Sequence, residues 1–351
     1  MKFLYKIFIF KLFKIIYGKI NKSKKKINNE LKITNLNFYK KKFKLYEFYK
    51  GRIFTDCNTN VAYILKNNQI NNFSYQQNKD KISSVKYNSV LKIGTPKLKK
   101  KFTGKVFSLI QGASGNNYWH WLFDLLPKIE ILYMNKMINC FDYFYIPNTN
   151  NYIIDTLKIY GIKKSQLIDS QKFKHIEADK ISVLENIYLK SGDFQKQFEN
   201  IPLNIIKKIR NRLINFKSKK FNHKKIFIDR SDSKFNHYQL YENEKIIDIL
   251  KNKNFAKFKL SKLSIFDQIS LFNSSKLILG LHGAGFANII FCKKKTKIYE
   301  LIKRNDSKRN AVKTIANHSN LKHKKLIINN YKKFDGNELL IFDKKYLDLF
   351  K

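Results

Sequence analysis

A chain of 351 residues is longer than one hydrophobic core usually serves, so two domains, and with them a cleft, are the first expectation. Hydrophobic residues at 43%, with 30 Phe and 20 Tyr, exclude a disordered chain. The 71 Lys and Arg against 26 Asp and Glu leave a net charge of +45, a field that attracts any polyanion. Lys is spread almost evenly along the chain, however, where a nucleic-acid footprint would gather into a stripe or tail, and no nucleic-acid reader motif is present. Lys, Asn, Ile, Phe and Tyr are frequent together, as AT-rich coding produces at tolerant surface positions. The even spread suits an anionic membrane face or a phosphate-bearing substrate. Cys57, Cys140 and Cys292 are far apart, odd in number and without metal-ligand spacing, which predicts a reduced, cytoplasmic setting.

In chain order, MKFLYKIFIFKLFKIIYGKI places Lys6, Lys11 and Lys14 within its apolar runs. No stretch approaches the roughly 20 apolar residues of a spanning helix, and the same lysines break the core that a signal peptide needs. The mixture predicts an interfacial amphipathic helix, a peripheral anchor on the inner face of the cell membrane. Residues 21–50 are Lys- and Asn-rich with scattered aromatics, and short β-like runs such as VAYIL and KVFSLI follow up to about residue 110. From residue 117 helix and strand alternate: a helix across NYWHWLFDLLPKIEILYMNK, a strand at DYFYIP, a helix at NYIIDTLKIYG and a strand at QLID. Alternation of this kind predicts a parallel sheet.

IPLNIIKKIRNRLINF reads as a helix with Ile205, Ile209, Leu213 and Phe216 on one face and Pro202 near its start. It is expected to carry the domain boundary. The division is a basic amphipathic segment 1–50, an α/β domain 51–203 and a second α/β domain 204–351. Beyond the boundary come a strand at KKIFID, a helix at ENEKIIDILKNKN and a strand at FAKFKL. SIFDQISLFNSS follows as a helix capped by Ser264, with Ile265, Ile269 and Phe272 on its buried face, and then the strand KLILGL. FANIIFC predicts a short helix, KIYELI a strand, AVKTIANHSN a helix and KKLII a last strand, together a doubly wound nucleotide-binding domain.

Three segments carry chemistry. In LILGLHGAGFANIIF a strand runs into His282, Gly283, Ala284 and Gly285, then a helix. Ligands sit at this end of such strands. Gly283 and Gly285 permit a tight turn and close backbone approach, and the helix start offers N–H groups to a phosphate, although glycines also serve simply to turn a strand into a helix. His282 can donate to a phosphate oxygen or shift a proton. In GNNYWHWLFDLLPKI, His120 and Asp124 are four residues apart and share a helix face, while Trp119, Leu122, Phe123 and Leu126 supply packing. Such a pair can deprotonate a hydroxyl, or it can serve stability alone. In IFIDR, Arg230 lies just past a strand end, where a guanidinium can grip a diphosphate or simply be solvated.

LGLHGAGFANIIF followed by KIYEL resembles the C-terminal signature of family 61 glycosyltransferases. NYWHWLFDLLPKI resembles their N-terminal signature of His, Asp and Leu-Pro, and IFIDR with LYENEKIIDIL resembles their middle segment. The last departs from the pattern: it lacks the helix-start Arg and carries Glu242 before Asn243. The resemblance covers roughly residues 105–302. It implies a GT-B-like fold, two Rossmann-like α/β domains facing across a cleft, and an inverting hexosyl or pentosyl transfer in capsular or other surface polysaccharide biosynthesis. The acceptor, a glycan or lipid-linked glycan, belongs to the N-terminal domain and the nucleotide-sugar donor, a substrate, to the C-terminal one.

Within that reading Arg230, His282, Gly283, Ala284 and Gly285 hold the diphosphate, while Asn288 and Glu300 line the nucleoside pocket, Glu300 reaching toward ribose hydroxyls. His120 or Asp124 is the base, and His282 lies close to the reacting centre. No Asp-X-Asp triplet is present, so no metal and no other cofactor is expected. A catalytically silent sugar-nucleotide-binding relative and a nucleic-acid-binding protein are the rival readings.

Overall fold

The computed structural model describes residues 2–22, 29–78, 81–83, 85–111, 117–188, 192–193, 197–231, 239–241, 248, 250–334, 337–342 and 344–350. The chain divides into two compact units, Met1–Ile205 and Ile206–Lys351.

Unit 1 opens with helix α1 (Lys2–Tyr17). Strands β1 (Lys32–Phe38) and β2 (Lys41–Thr55) then form an antiparallel pair with Leu36 opposite Phe43. The basic stretch 21–50 thus supplies paired strands. Outward Asn35 and Asn37 alternate with Leu36 and Phe38, and outward Lys42 and Lys44 with Phe43 and Leu45, all four apolar residues being buried, so the Lys- and Asn-rich composition obscures the pattern. The strands that follow are β3 (Asn60–Leu65), β4 (Asn68–Gln69), β5 (Tyr75–Asn78), β6 (Lys81–Ser83), β7 (Lys100–Ser108), β8 (Tyr143–Ile146), β9 (Leu167–Asp169), β10 (His175–Leu184) and β11 (Gly192–Asp193). They form one sheet in the order β11-β6-β5-β3-β2-β10-β7-β8-β9, with β1 on β2 and β4 on β3.

The block β10-β7-β8-β9 is parallel, and the rest is antiparallel. The alternation read from residue 117 is therefore present: β7, a helical segment over 118–134, β8, helix α3 (Asn151–Ile159), β9. The segment ends in helix α2 (Leu126–Met134), and the Trp121 indole N–H donates to Thr156 Oγ1 at 3.0 Å, tying it to α3. Trp121, Phe123, Phe107 and Phe144 are fully buried between these layers.

Helix α4 (Leu203–Ile214) spans the boundary of the two units. Ile205, Ile209 and Leu213 are buried as their spacing predicts, but the helix stops at Ile214, so Phe216 leaves the stripe and is 49% exposed.

Unit 2 contains β12 (Lys225–Asp229), β13 (Gln239–Leu240), β14 (Ala256–Lys259), β15 (Leu277–Leu281), β16 (Lys297–Lys303), β17 (Lys322–Ile328), β18 (Tyr331–Phe334) and β19 (Asn337–Leu340). A five-stranded, wholly parallel sheet has the order β14-β12-β15-β16-β17, and β13-β19-β18 form a small second sheet. Helix α5 (Ile265–Ser274) is capped by Ser264, whose Oγ accepts from the Asp267 N–H at 3.1 Å, and α6 (Ala311–His318) precedes β17. The helix read over ENEKIIDILKNKN, including Glu242 and Asn243, lies mostly outside the described residues.

Numbered along the chain, the five parallel strands lie in the order second, first, third, fourth, fifth. The direction of winding reverses between β12 and β15. In open parallel sheets, that reversal leaves a crevice at the carboxyl ends of the two strands, where ligands bind.

Candidate active site

In unit 1, Asn117 starts the helical segment by accepting the Trp119 N–H at 2.9 Å. After one α-turn, residues Trp121–Leu125 form a π-turn before α2 resumes with Pro127 in its first positions. Proline has no N–H to return to the carbonyl four residues back, so the turn before it widens. His120 precedes this wide turn and Asp124 lies within it, and His120 Nδ1 lies 2.6 Å from Asp124 Oδ2.

Asp124 receives two further donors, Gln111 Nε2 at 3.1 Å and the Tyr188 hydroxyl. Burial, and then the Asp124 charge, push the Tyr188 phenol well above its usual range, so it stays protonated and donates. The Asp124 side chain is 1% exposed. Lys128, one turn on, is fully buried, with Nζ 3.3 Å from Asn186 Oδ1. Burial lowers its ammonium to about 8, against the opposing pull of Asp124 and Glu185. The structure adds Gln111, Tyr188 and Lys128 to the expected pair. Lys128 shares a helix face with Asp124 and so has a sequence signal, whereas Gln111 and Tyr188 arrive from distant strand ends and have none.

In unit 2, Arg230 follows β12 and His282 follows β15, at the two strand ends that border the reversal. The Arg230 guanidinium donates from Nη1 to the His282 carbonyl. Gly283 is where this matters sterically: a Cβ there would stand 2.6 Å from Arg230 Cζ, so the guanidinium lies directly against the glycine. At Gly285 a Cβ would stand 2.8 Å from Leu260 Cδ1, which is the movable end of a side chain. Residues 282–285 are half-exposed, whereas 286–291 are buried. Ala284–Phe291 is a 3₁₀ helix where a short helix was expected. Asn288 Nδ2 donates to the Gly285 carbonyl at 3.3 Å, the group that an α-helical bond from Ile289 would use, and to Gln268 Oε1 at 2.8 Å.

Two expected pocket residues thus lie beneath the loop. Asn288 is fully buried and pins the helix to α5. Glu300, also fully buried, has Oε1 2.5 Å from His282 Nδ1 and Oε2 2.8 Å from His323 Nε2. It bridges two imidazoles rather than lining an open pocket toward ribose hydroxyls. Burial alone would raise the Glu300 carboxyl, but hydrogen bonds and charge from His282 and His323 outweigh it and hold the group at about 2.

The structure therefore gathers Arg230, His282, Gly283, Ala284 and Gly285 at one crevice, with Glu300 behind His282. His323 completes the cluster, and its only sequence trace is an imidazole in the last strand of the sheet. Among the described residues, no group of three or more His, Cys, Asp or Glu side chains is placed to hold a metal ion.

The family model described as Glycosyltransferase 61 matches residues 118–299, more than half of the 351-residue chain. The chain belongs to glycosyltransferase family 61. No curated protein matches it. As a glycosyltransferase of this family, it binds a sugar donor and an acceptor. The matched span opens two residues before His120 and closes one residue before Glu300, enclosing the unit 1 pair and the whole of the Arg230–Gly285 crevice.

Proposed function

We propose that the chain is an inverting, metal-independent transferase that moves a hexosyl or pentosyl group from a nucleotide sugar to a glycan or lipid-linked glycan acceptor of capsular or other surface polysaccharide assembly. The observation that carries this reading is the meeting of Arg230 with His282 and Gly283 at the winding reversal of the parallel sheet. A guanidinium and the first N–H groups of the 3₁₀ helix supply fixed donors for a diphosphate, with the His282 ring beside them able to donate from Nε2 when protonated, and they do for the departing nucleotide what a metal ion does elsewhere.

His120 is the base, with Asp124 its orienter. Asp124 is buried and already accepts three hydrogen bonds, so it holds the ring rather than meeting an acceptor. As the acceptor oxygen attacks the anomeric carbon, its proton passes to His120. The bond from that carbon to the diphosphate oxygen breaks on the opposite face, and the charge left on the nucleotide falls to Arg230 and His282. The buried Trp119 indole N–H has no hydrogen-bond partner among the described residues, and an acceptor hydroxyl would satisfy it. A GT-B-like arrangement of the two units is part of this reading.

Thermal-shift measurement against UDP, GDP, CDP and CMP with EDTA present tests it. One nucleotide should raise the midpoint by a few degrees at about 100 times its Kd, and Arg230→Ala should abolish the shift. No shift with any of the four, alongside a shift with a polyanion, would overturn the transferase site.

The acceptor assignment is supported by α1. Leu4, Tyr5, Phe8, Leu12, Ile15 and Ile16 form one helical stripe that is exposed, Ile15 at 82%, while Tyr17 packs edge-on against His175 and fixes the other end. Among the described residues no helix is long and apolar enough to cross a membrane. A basic protein with such a stripe fits peripheral attachment at the cytoplasmic face of an anionic bilayer. The protein should co-sediment with vesicles containing phosphatidylglycerol more than with pure phosphatidylcholine. Ile15→Asp with Phe8→Asp should release it, and unchanged sedimentation would remove the idea.

A further inference from the structure

We propose that His323 is a positioning residue for His282, acting through Glu300. The proposal rests on the reading of His282 as a ligand of the departing diphosphate. His323 and Glu300 both lie beyond the matched span 118–299, so their role is argued from this chain's own geometry.

β16 runs parallel between β15 and β17 and places Glu300 at its middle, paired in register with Gly280 on one side and Lys325 on the other. Gly280 has no side chain, and Lys325 sends its ammonium to the Ser307 carbonyl and Asn310 Oδ1, so neither register neighbour occupies the carboxylate. The imidazoles on either side do: His282 from the end of β15 and His323 from β17.

A carboxylate only accepts, so the ring nitrogens that face it both carry hydrogen, Nδ1 of His282 and Nε2 of His323. This fixes the His282 tautomer. With Nδ1–H committed to Glu300, Nε2 is the nitrogen left for chemistry, a donor to a phosphate oxygen when the ring is protonated. Solvent alone does not favour Nδ1–H in a neutral histidine, so the lock has to come from Glu300.

A fully buried carboxylate holding one imidazole could still turn about its last torsion. A second donor on the opposite oxygen stops that turn. His323 is that second donor, and its side chain is 4% exposed, so water does not take its place. Without it, one buried Glu300 oxygen loses its partner, which is costly, and the group relieves the loss by turning or by taking up a proton. Turning frees His282, and proton uptake removes the charge that holds its Nδ1–H.

The test compares His323→Phe with His323→Gln, whose amide nitrogen sits near the position of Nε2 and keeps a donor toward Glu300. The ¹⁵N shifts of the His282 ring, assigned with His282→Asn, report the tautomer whether or not transfer is detected. Wild type should show Nδ1–H. His323→Phe should show Nε2–H, with kcat lowered at least about tenfold and donor KM little changed. That loss is smaller than the roughly 100-fold expected for removing a charge-stabilising group outright, and His323→Gln should restore both readouts. If His323→Phe does not fold, His323→Asn, polar but too short to reach Glu300, replaces it. A folded variant that keeps the Nδ1–H tautomer and wild-type kcat would overturn the proposal. A variant that loses the tautomer in a protein binding no nucleotide would keep the His323 role and sink the transferase reading instead.

Discussion

Each unit holds an imidazole by its Nδ1 against a buried carboxylate, and the two pairs are built in opposite ways. His120 and Asp124 belong to one turn of one helix, and the remaining donors to Asp124 are neutral, a phenol and an amide. His282 and Glu300 are 18 residues apart, one just past the end of β15 and the other at the middle of β16 beside it, and the remaining donor to Glu300 is a second imidazole. Helical pairing fixes one ring through a π-turn that Pro127 helps to create. Strand pairing fixes the other through the parallel register of three strands. The contrast fits the roles proposed for them. A base needs one proton-accepting nitrogen held toward an acceptor and a counter-charge behind it. A group that receives a departing phosphate needs a ring held in place, so that its second nitrogen, once protonated, meets the phosphate in a crevice already lined by Arg230.

The widest separation between the pairs is expected in turnover. His120→Ala should lower single-turnover transfer by about 10²- to 10⁴-fold, the range for losing general-base catalysis, and leave nucleotide affinity near wild type. His282→Ala should weaken nucleotide binding as well as slow transfer. Measuring both variants for rate and for nucleotide thermal shift breaks the comparison if the pattern is reversed, or if His120→Ala transfers at the wild-type rate.

The sequence foretold the two pairs unequally. Four-residue spacing in a helix is a local signal, so His120 and Asp124 could be put together from the letters. Arg230 and His282 were legible as residues just past strands, because hydrophobic runs mark strands and the positions after them. That these two strands are neighbours at the winding reversal was not legible, since the sheet order depends on crossovers that leave no local trace. Glu300 was found but misplaced. A carboxylate in a strand looks like a ligand until the adjacent strands are known, and here both of its neighbours bring histidines. His323 and Tyr188 had no signal because each meets its carboxylate only through tertiary contact. Strands β1 and β2 were obscured by composition, their outward positions being mostly Asn in β1 and Lys in β2.

A smaller effect in the unit 2 cluster is read by pH. The Glu300 carboxyl falls from 4.5 in the unfolded chain to about 2 in the folded one. Because the folded value is the lower, the stability it contributes is fully present above about pH 4.5 and is lost as pH falls toward 2. At about 1.4 kcal/mol per unit, that shift corresponds to a contribution on the order of 3 kcal/mol. Glu300→Gln cannot ionise and lacks this contribution at every pH. Thermal unfolding should therefore place the variant well below wild type at pH 7, with the gap narrowing steadily between pH 4.5 and 2.5. The loss should be confined to unit 2, so hydrogen exchange of the β15, β16 and β17 amides should quicken in the variant while that of β7 and β8 does not. A gap that stayed constant across the acid range would mean that Glu300 holds its two histidines by shape rather than by charge.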